Sequence, residues 1–170
     1  MPDRLLVVSV SLRLADPSEY DTVGDITVAA YSADGFLDQE RSYAQVLRDA
    51  GDRASRAELW VAVEGDEVLG SVTFCPVGSD YRELAQRADQ GEFRMLAVAP
   101  AARRRGVARA LVTQCLRRSR ELGHTEMVLC SGDTMTAAHA LYVSFGFTRA
   151  PELDWCPTSE VRLIGFRLEL

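Results

Sequence analysis

Residues 92 to 111 of the 170-residue chain form the sequence EFRMLAVAPAARRRGVARAL. The first part of this sequence predicts a β-strand over residues 93–98, and Ala99-Pro100-Ala101 predict a turn. Apolar residues then recur with helical spacing and predict a helix over residues 107–122, with Gly123 as its stop. A strand, an arginine-rich turn and a long helix are therefore expected in direct succession.

Three consecutive arginines, Arg103, Arg104 and Arg105, occupy the turn that opens this helix. The first amides of a helix have no partners within it, and the positive end of the helix dipole adds to the attraction for an anion. Gly106 and the small Ala108 allow the backbone to approach a ligand closely. We therefore expect a diphosphate to bind at this turn. The alternative is a solvated basic loop that only caps a structural helix.

Strand and helix patterns alternate over the rest of the chain. Strands are predicted over residues 5–14, 59–63, 67–75, 93–98, 126–130 and 161–168, and helices over residues 21–31, 38–49, 107–122 and 134–145. Gly51 predicts the end of the second helix, and polar residues 78–91 predict a loop with one helical turn around residues 83–88. This order indicates a single mixed α/β domain over residues 1–170, with a right-handed parallel crossover between residues 93 and 130.

Composition limits the partners and the location of the protein. The net charge is -6, so the surface as a whole repels nucleic-acid phosphates and anionic lipid. Two histidines and four widely spaced cysteines argue against a metal site and favour buried thiols. No apolar window approaches the roughly 18 residues of a membrane-spanning helix, and the apolar N-terminal run ends in no cleavage pattern. We expect a cytoplasmic protein with neither nucleic-acid nor membrane partners.

Two spaced motifs resemble the GNAT superfamily of N-acetyltransferases. The first is Arg/Gln-x-x-Gly-x-Gly/Ala between a strand and a helix, and Arg103, Gly106 and Ala108 match it. The second is Ala-x-x-Leu-Tyr-x-x-x-Gly-Phe, which is matched at the expected distance downstream by Ala138, Leu141, Tyr142, Gly146 and Phe147. The resemblance is close over residues 92–149 and loose before them.

The resemblance implies a fold and a co-substrate. The fold is α/β (α+β), with a mixed, mostly antiparallel sheet, a splayed central parallel pair and about four flanking helices. The co-substrate is acetyl-CoA, with its pantetheine arm in the splayed gap and no metal involved. The residues implied in its binding are Leu96, Ala97, Val98, Arg103, Arg104, Arg105, Gly106, Val107, Ala108, Arg109, Met135 and Ala138. A homodimer is also common in families of this kind.

The resemblance further implies two catalytic residues. Glu92 matches the position of a general base that deprotonates the attacking amine, directly or through water. Tyr142 matches a tyrosine near the sulfur that protonates the departing thiolate. The alternatives are an exposed glutamate at the end of a strand and an aromatic residue of the core. Backbone amide hydrogen bonding at Leu96 would polarise the thioester carbonyl.

The acceptor is left open by the sequence. A small-molecule or peptide amine is expected. The resemblance implies that the acceptor site is built at the positions of Asp34-Gly35-Phe36, Tyr81 and Asp154-Trp155. Met135 stands where many relatives have an asparagine, and it supplies no amide hydrogen bond. Two rival interpretations follow: a non-catalytic acyl-CoA-binding module that has lost its acceptor chemistry, and a nucleotide-binding regulator that uses the arginine turn.

Overall fold

The computed structural model describes residues 9–170 and forms one seven-stranded sheet with helices on both faces. The strands are β1 (Ser11–Leu14), β2 (Glu58–Glu64), β3 (Glu67–Cys75), β4 (Gln90–Val98), β5 (Glu126–Gly132), β6 (Thr148–Arg149) and β7 (Leu163–Glu169). The helices are α1 (Tyr20–Ala33), α2 (Phe36–Gln39), α3 (Tyr43–Arg48), α4 (Ala50–Arg56), α5 (Val107–Glu121) and α6 (Thr136–Ser144). Within residues 9–170, no helix is both long and apolar enough to cross a membrane.

The strand order is β1-β2-β3-β4-β5-β7-β6, and every neighbouring pair is antiparallel except β4 and β5. These two strands pair over only three positions, Gln90 with Glu126, Gly91 with Met127 and Glu92 with Val128. Beyond Glu92 the strands diverge. The predicted fold class, with its splayed central parallel pair, is therefore confirmed.

A β-bulge bends β4 just after it leaves β5. Ser71 of β3 pairs with Ala97 and Thr73 pairs with Arg94, so that β4 carries one residue more than β3 across this interval. Met95 absorbs the extra residue with a φ of 53°, a left-handed conformation that is uncommon for a side chain of its size. The bulge changes the direction of the backbone groups that follow it.

The two faces of the sheet are packed differently. Helices α5 and α6 cover one face, where Phe93, Leu111, Tyr142 and Phe147 belong to the largest apolar cluster. On the other face a smaller cluster joins Phe36 to residues of α3, β3 and β4. Regular alternation would put Phe93 and Met95 on the same face, but the bulge at Met95 interrupts it, so Phe93 lies in the first cluster while Met95 lies in the second.

The segment after α1 differs from its prediction. A single helix over residues 38–49 was expected, but three short helices, α2 to α4, occupy residues 36–56. Gly51 lies inside α4 instead of ending a helix, because the Asp49 carboxylate accepts a hydrogen bond from the Asp52 amide and begins a new helix there. The described chain thus has six α-helices, two more than expected.

The loop before β4 also differs, since residues 83–88 contain no helical turn. The amides of Glu83 and Leu84 donate to Glu92, and the amides of Gln86 and Arg87 donate to the side-chain oxygen of Gln90. Side chains of β4 therefore accept hydrogen bonds from the backbone amides that a helical turn would have paired with its own carbonyl groups.

Smaller differences lie at the ends of other elements. β5 continues to Gly132, α6 begins at Thr136, and β6 was not predicted. Residues 5–8 of the first predicted strand lie outside the described residues.

Candidate active site

A cavity of about 580 Å³ opens where β4 and β5 diverge. Residues 93–98 of β4 and 129–132 of β5 form its two sides, and the turn before α5 closes one end. Every residue predicted to act in catalysis or to bind acetyl-CoA lines it except Glu92 and Arg105. The structure thus brings together, around one opening, residues that the sequence separates by more than 40 positions.

The turn before α5 has the backbone geometry of an anion site. Arg104 has a φ of 63° and Gly106 has a φ of 77°, and Gly106 is the N-cap residue of α5. No side chain caps this helix end, so its first amides keep their hydrogen-bonding capacity. A Cβ atom added at Gly106 would meet no atom within 4 Å. Glycine is therefore favoured here by the positive φ and by the room that it leaves for a ligand.

Most arginines of this turn already have partners. Arg103 forms an ion pair with Asp34 at 3.2 Å, and Arg105 forms one with Glu64 of β2. Arg109 donates to the Ser144 hydroxyl at 2.7 Å. Two of the three consecutive guanidinium groups are therefore paired with carboxylates, while no side chain caps the first backbone amides of α5.

Tyr142 projects from α6 among aromatic rings. The ring centroids of Phe93, Phe147 and Phe166 lie 6.0, 5.8 and 5.8 Å from its own. Burial raises the pKa of the phenol well above its usual value of 10, so Tyr142 stays protonated at neutral pH. Its hydroxyl makes no hydrogen bond to any residue within 9–170, although the side chain lines the cavity. A neutral phenol with an unused donor therefore faces the opening.

Glu92 is fully buried and does not line the cavity. Its carboxylate accepts hydrogen bonds from the amides of Glu83 at 2.8 Å and Leu84 at 2.6 Å. Burial raises the pKa of Glu92, while these amides and nearby Arg94 act in the opposite direction. The side chain thus connects β4 to the loop around residue 83, behind the cavity wall.

Four aromatic residues also line the cavity, and we call their part of it the aromatic end: Tyr31, Phe36, Tyr43 and Trp155, with Arg94 and Glu83 in the same lining. The rings of Tyr31 and Phe36 pack edge to face at 5.4 Å, and Tyr43 lies 5.8 Å from Phe36. Asp34, Phe36 and Trp155 were expected near an acceptor site and do line the cavity. Tyr81 does not, because its hydroxyl donates to Asp52 at 2.6 Å.

The sequence missed Arg94, Glu83, Tyr31 and Tyr43 as site residues. Arg94 could have been found, because alternation along β4 places it on the same face as Glu92. The two tyrosines come from α1 and α3, and no motif connects these segments to β4.

Within residues 9–170, no group of three or more histidine, cysteine or acidic side chains is arranged to hold a metal ion.

The sulfur-containing residues of the cavity lining are two methionines, Met95 and Met135, and one cysteine, Cys130. Met135 and Ala138 line the cavity beside α6, and Cys130 of β5 lines the other wall. Burial raises the pKa of Cys130 to about 11, so its thiol is protonated at neutral pH. His139 donates from Nε2 to the carbonyl of Gly132 at 2.9 Å and so anchors α6 to the end of β5.

Comparison with known proteins gives a consistent result. The sequence model of the Acetyltransferase (GNAT) family matches residues 21–147. N-acetyltransferase 8B of Rattus norvegicus is 33% identical over 109 residues, which are 64% of this chain and 46% of that protein. The chain therefore spans less than half the length of this curated relative.

Solved structures share the fold over nearly the whole chain. A GCN5-related N-acetyltransferase from Kribbella flavida is 25% identical, with a TM-score of 0.69 over 95% of this chain and 98% of that one. The yncA protein of Salmonella typhimurium, solved with its cofactor acetyl-CoA, is 21% identical, with a TM-score of 0.66 over 95% of this chain and 94% of that one.

Proposed function

The chain belongs to the GNAT acetyltransferase family, and on that premise we propose that it transfers the acetyl group of acetyl-CoA to a primary amine. The amine, of a small molecule or a peptide, attacks directly while both substrates are bound. One observation carries the proposal: a single cavity joins the anion-binding turn, the gap between β4 and β5, the Tyr142 hydroxyl and the aromatic end. The donor half and the acceptor half of such a reaction would meet in this gap.

The donor is held by backbone groups in this proposal. The amides from Arg104 to Arg109 bind its diphosphate, and Leu96, Ala97 and Val98 line the side of the gap that holds the pantetheine arm. Met135 and Ala138 pack against the arm from the α6 side. The bulge at Met95 supports this arrangement, because it leaves Leu96 without a register partner on β3, between the paired residues Arg94 and Ala97. The Leu96 amide then polarises the thioester carbonyl.

Two proton movements complete the proposed reaction. The attacking amine loses a proton, and the sulfur gains one as its bond to the acetyl carbon breaks. Tyr142 donates the second proton from its neutral phenol. Glu92 receives the first, and because it does not line the cavity, the proton reaches it through water.

Replacing Glu92 by glutamine tests this assignment. We expect kcat to fall by about a hundredfold, because the carboxamide accepts no proton, while the Kd for acetyl-CoA stays within about twofold. The wild-type acid limb of kcat/KM should lie above the usual glutamate pKa of 4.5, since burial raises the pKa of Glu92. Steady-state kinetics over pH 4 to 10 measure kcat and the acid limb of kcat/KM, and calorimetry measures the Kd for acetyl-CoA.

The matched control is Glu126→Gln, a change at a buried glutamate of β5 that bonds to Gln90 outside the cavity. It should leave the pH profile unchanged. An equal loss of turnover in both variants, or a parallel loss of acetyl-CoA affinity in Glu92→Gln, would contradict the role of Glu92 as proton acceptor.

The proposed activity itself is tested by thiol release. The protein is mixed with acetyl-CoA and a panel of amines, and free CoA is measured against a reaction without amine. Tight acetyl-CoA binding with no amine-dependent release would instead favour the non-catalytic acyl-CoA-binding module, for which Met135 on the cavity wall is the motivating residue. The single domain, the homodimer and the cytoplasmic location stay predictions.

A further inference from the structure

The aromatic end contains one guanidinium with a free edge. Arg94 projects from β4 into this end, and 20% of its side chain stays exposed. Its Nη1 atom donates to the Tyr81 carbonyl at 3.1 Å and lies 3.4 Å from a Glu83 carboxylate oxygen. Within residues 9–170, Nε and Nη2 make no hydrogen bond, and neither is a buried atom without a partner. The Nε–Nη2 edge of Arg94 is therefore open to a ligand.

An open guanidinium edge suits one chemical group in particular. Two parallel N–H donors match the two oxygens of a carboxylate, and such charge-assisted pairs are strong and directional. The surrounding rings of Tyr31, Phe36 and Tyr43 lower the local water content and so strengthen the pair. A carboxylate that enters this end thus meets a donor already aimed at it.

Contacts with Tyr81 fix the position of Arg94. Its guanidinium carbon lies 5.8 Å from the centre of the Tyr81 ring, and the Tyr81 carbonyl holds Nη1. The buried Glu92 carboxylate binds the next two amides of the same loop, at Glu83 and Leu84. The loop therefore holds Arg94 and Glu83 as a preformed pair, at little further cost in side-chain entropy.

The same end offers an opposite charge for an amine. The carboxylates of Glu83 and Glu40 both line the cavity near the aromatic rings, and Glu40 accepts from the Ser42 hydroxyl. An ammonium group with a neighbouring carboxylate would find partners of both signs here. An acceptor with a positive charge and no carboxylate would instead be repelled by Arg94. The overall charge of -6 does not offset this repulsion, because distant surface charges are screened by salt.

We propose that the acceptor is an amino acid with a large apolar side chain, whose carboxylate binds the Nε–Nη2 edge of Arg94. The apolar side chain contacts Tyr31, Phe36 and Tyr43, and the amine faces the gap between β4 and β5. The inference rests on the proposed function and adds the class of the acceptor to it. Arg94 is then the residue that selects carboxylate-bearing amines.

The test compares two acceptors that differ by one group, L-phenylalanine and phenethylamine. For the wild-type protein, kcat/KM for phenylalanine should exceed that for phenethylamine by about tenfold to a hundredfold, the effect of one hydrogen-bonded charge. Arg94→Gln should abolish this preference, measured as the ratio of the two kcat/KM values, so that any change that acts through the pKa of Glu92 affects both amines alike and cancels. Arg94→Lys should restore part of the preference, because it returns the charge without the two-pronged geometry.

Arg48→Gln is the control, since Arg48 pairs with Asp25 on the surface and lies outside the cavity. It should keep the wild-type preference. Equal wild-type efficiency with both amines, or an equal loss with both in Arg94→Gln, would overturn the inference while acetyl transfer itself stands.

A binding measurement separates this inference from the proposed function. Calorimetry follows phenylalanine binding to the CoA-saturated protein, with no reaction required. Weaker binding to Arg94→Gln than to Arg48→Gln supports the carboxylate site even if no amine is acetylated. Equal binding to the two variants, or no binding to the wild type, refutes it.

Discussion

Replacing Tyr142 by phenylalanine is expected to lower kcat for acetyl transfer by about a hundredfold to ten-thousandfold, the usual range for the loss of a general acid. The ring is held by Phe93, Phe147 and Phe166, so the phenylalanine variant should keep the same packing. The hydroxyl makes no hydrogen bond within the described residues, so its removal leaves no donor or acceptor unpaired. Steady-state kinetics should show the loss in kcat, and calorimetry should show an acetyl-CoA Kd within about twofold of wild type.

The control for this variant is Tyr20→Phe, on α1 and outside the cavity lining. It should keep wild-type kcat. The phenol of Tyr142 has its pKa raised by burial, so the protonated, active form persists as pH rises and the alkaline limb should lie above about pH 10. A Tyr142→Phe variant with wild-type kcat at every pH would eliminate this residue as the acid.

Replacing Gly106 by valine should mainly weaken acetyl-CoA binding. A β-branched residue at a φ of 77° costs about 1 to 3 kcal/mol, and the turn relieves that strain by moving the amides that bind the diphosphate. We expect the Kd to rise by about tenfold to a hundredfold, while kcat at saturating acetyl-CoA changes little. Calorimetric titration with acetyl-CoA measures the change directly.

Gly123→Val provides a closely matched control. Gly123 has a φ of 78° just after α5, has open space around its Cβ position as Gly106 does, and does not line the cavity. Both variants should lose stability to a similar extent, as thermal unfolding would show. If Gly123→Val lost as much acetyl-CoA affinity as Gly106→Val, or if neither lost any, the diphosphate site before α5 would be wrong.

The part of the cavity that we propose to bind acetyl-CoA was predictable because its residues are close in sequence. Residues 93–109 form a strand, a turn and a helix start, and each has a local signal that the structure reproduces. The second motif was equally local, since Ala138 and Tyr142 lie on one helix. Local periodicity and a glycine at the turn were enough to place this half of the cavity.

The part of the cavity that we propose to bind the acceptor was not predictable in the same way. Tyr31 and Tyr43 lie on two different helices, and Trp155 lies more than 100 residues after them, so only tertiary packing brings the three together. The helices between α1 and β2 are too short to show clear periodicity, and a single Asp49 cap reorganised the predicted helix there. Glu92 was correctly placed on β4, but its burial depends on the amides at residues 83 and 84, which no pattern in the sequence revealed.

The three-position pairing of β4 with β5 has a mechanical meaning. The sheet consists of a four-stranded part, β1 to β4, and a three-stranded part, β5 to β7, that share few backbone hydrogen bonds. In the proposed complex, the pantetheine arm supplies amide groups along this boundary and ties the two parts together. The molecule would then become more rigid as the acetyl-CoA concentration rises. Amide hydrogen exchange around Met95 and Leu129 should slow over the same concentration range.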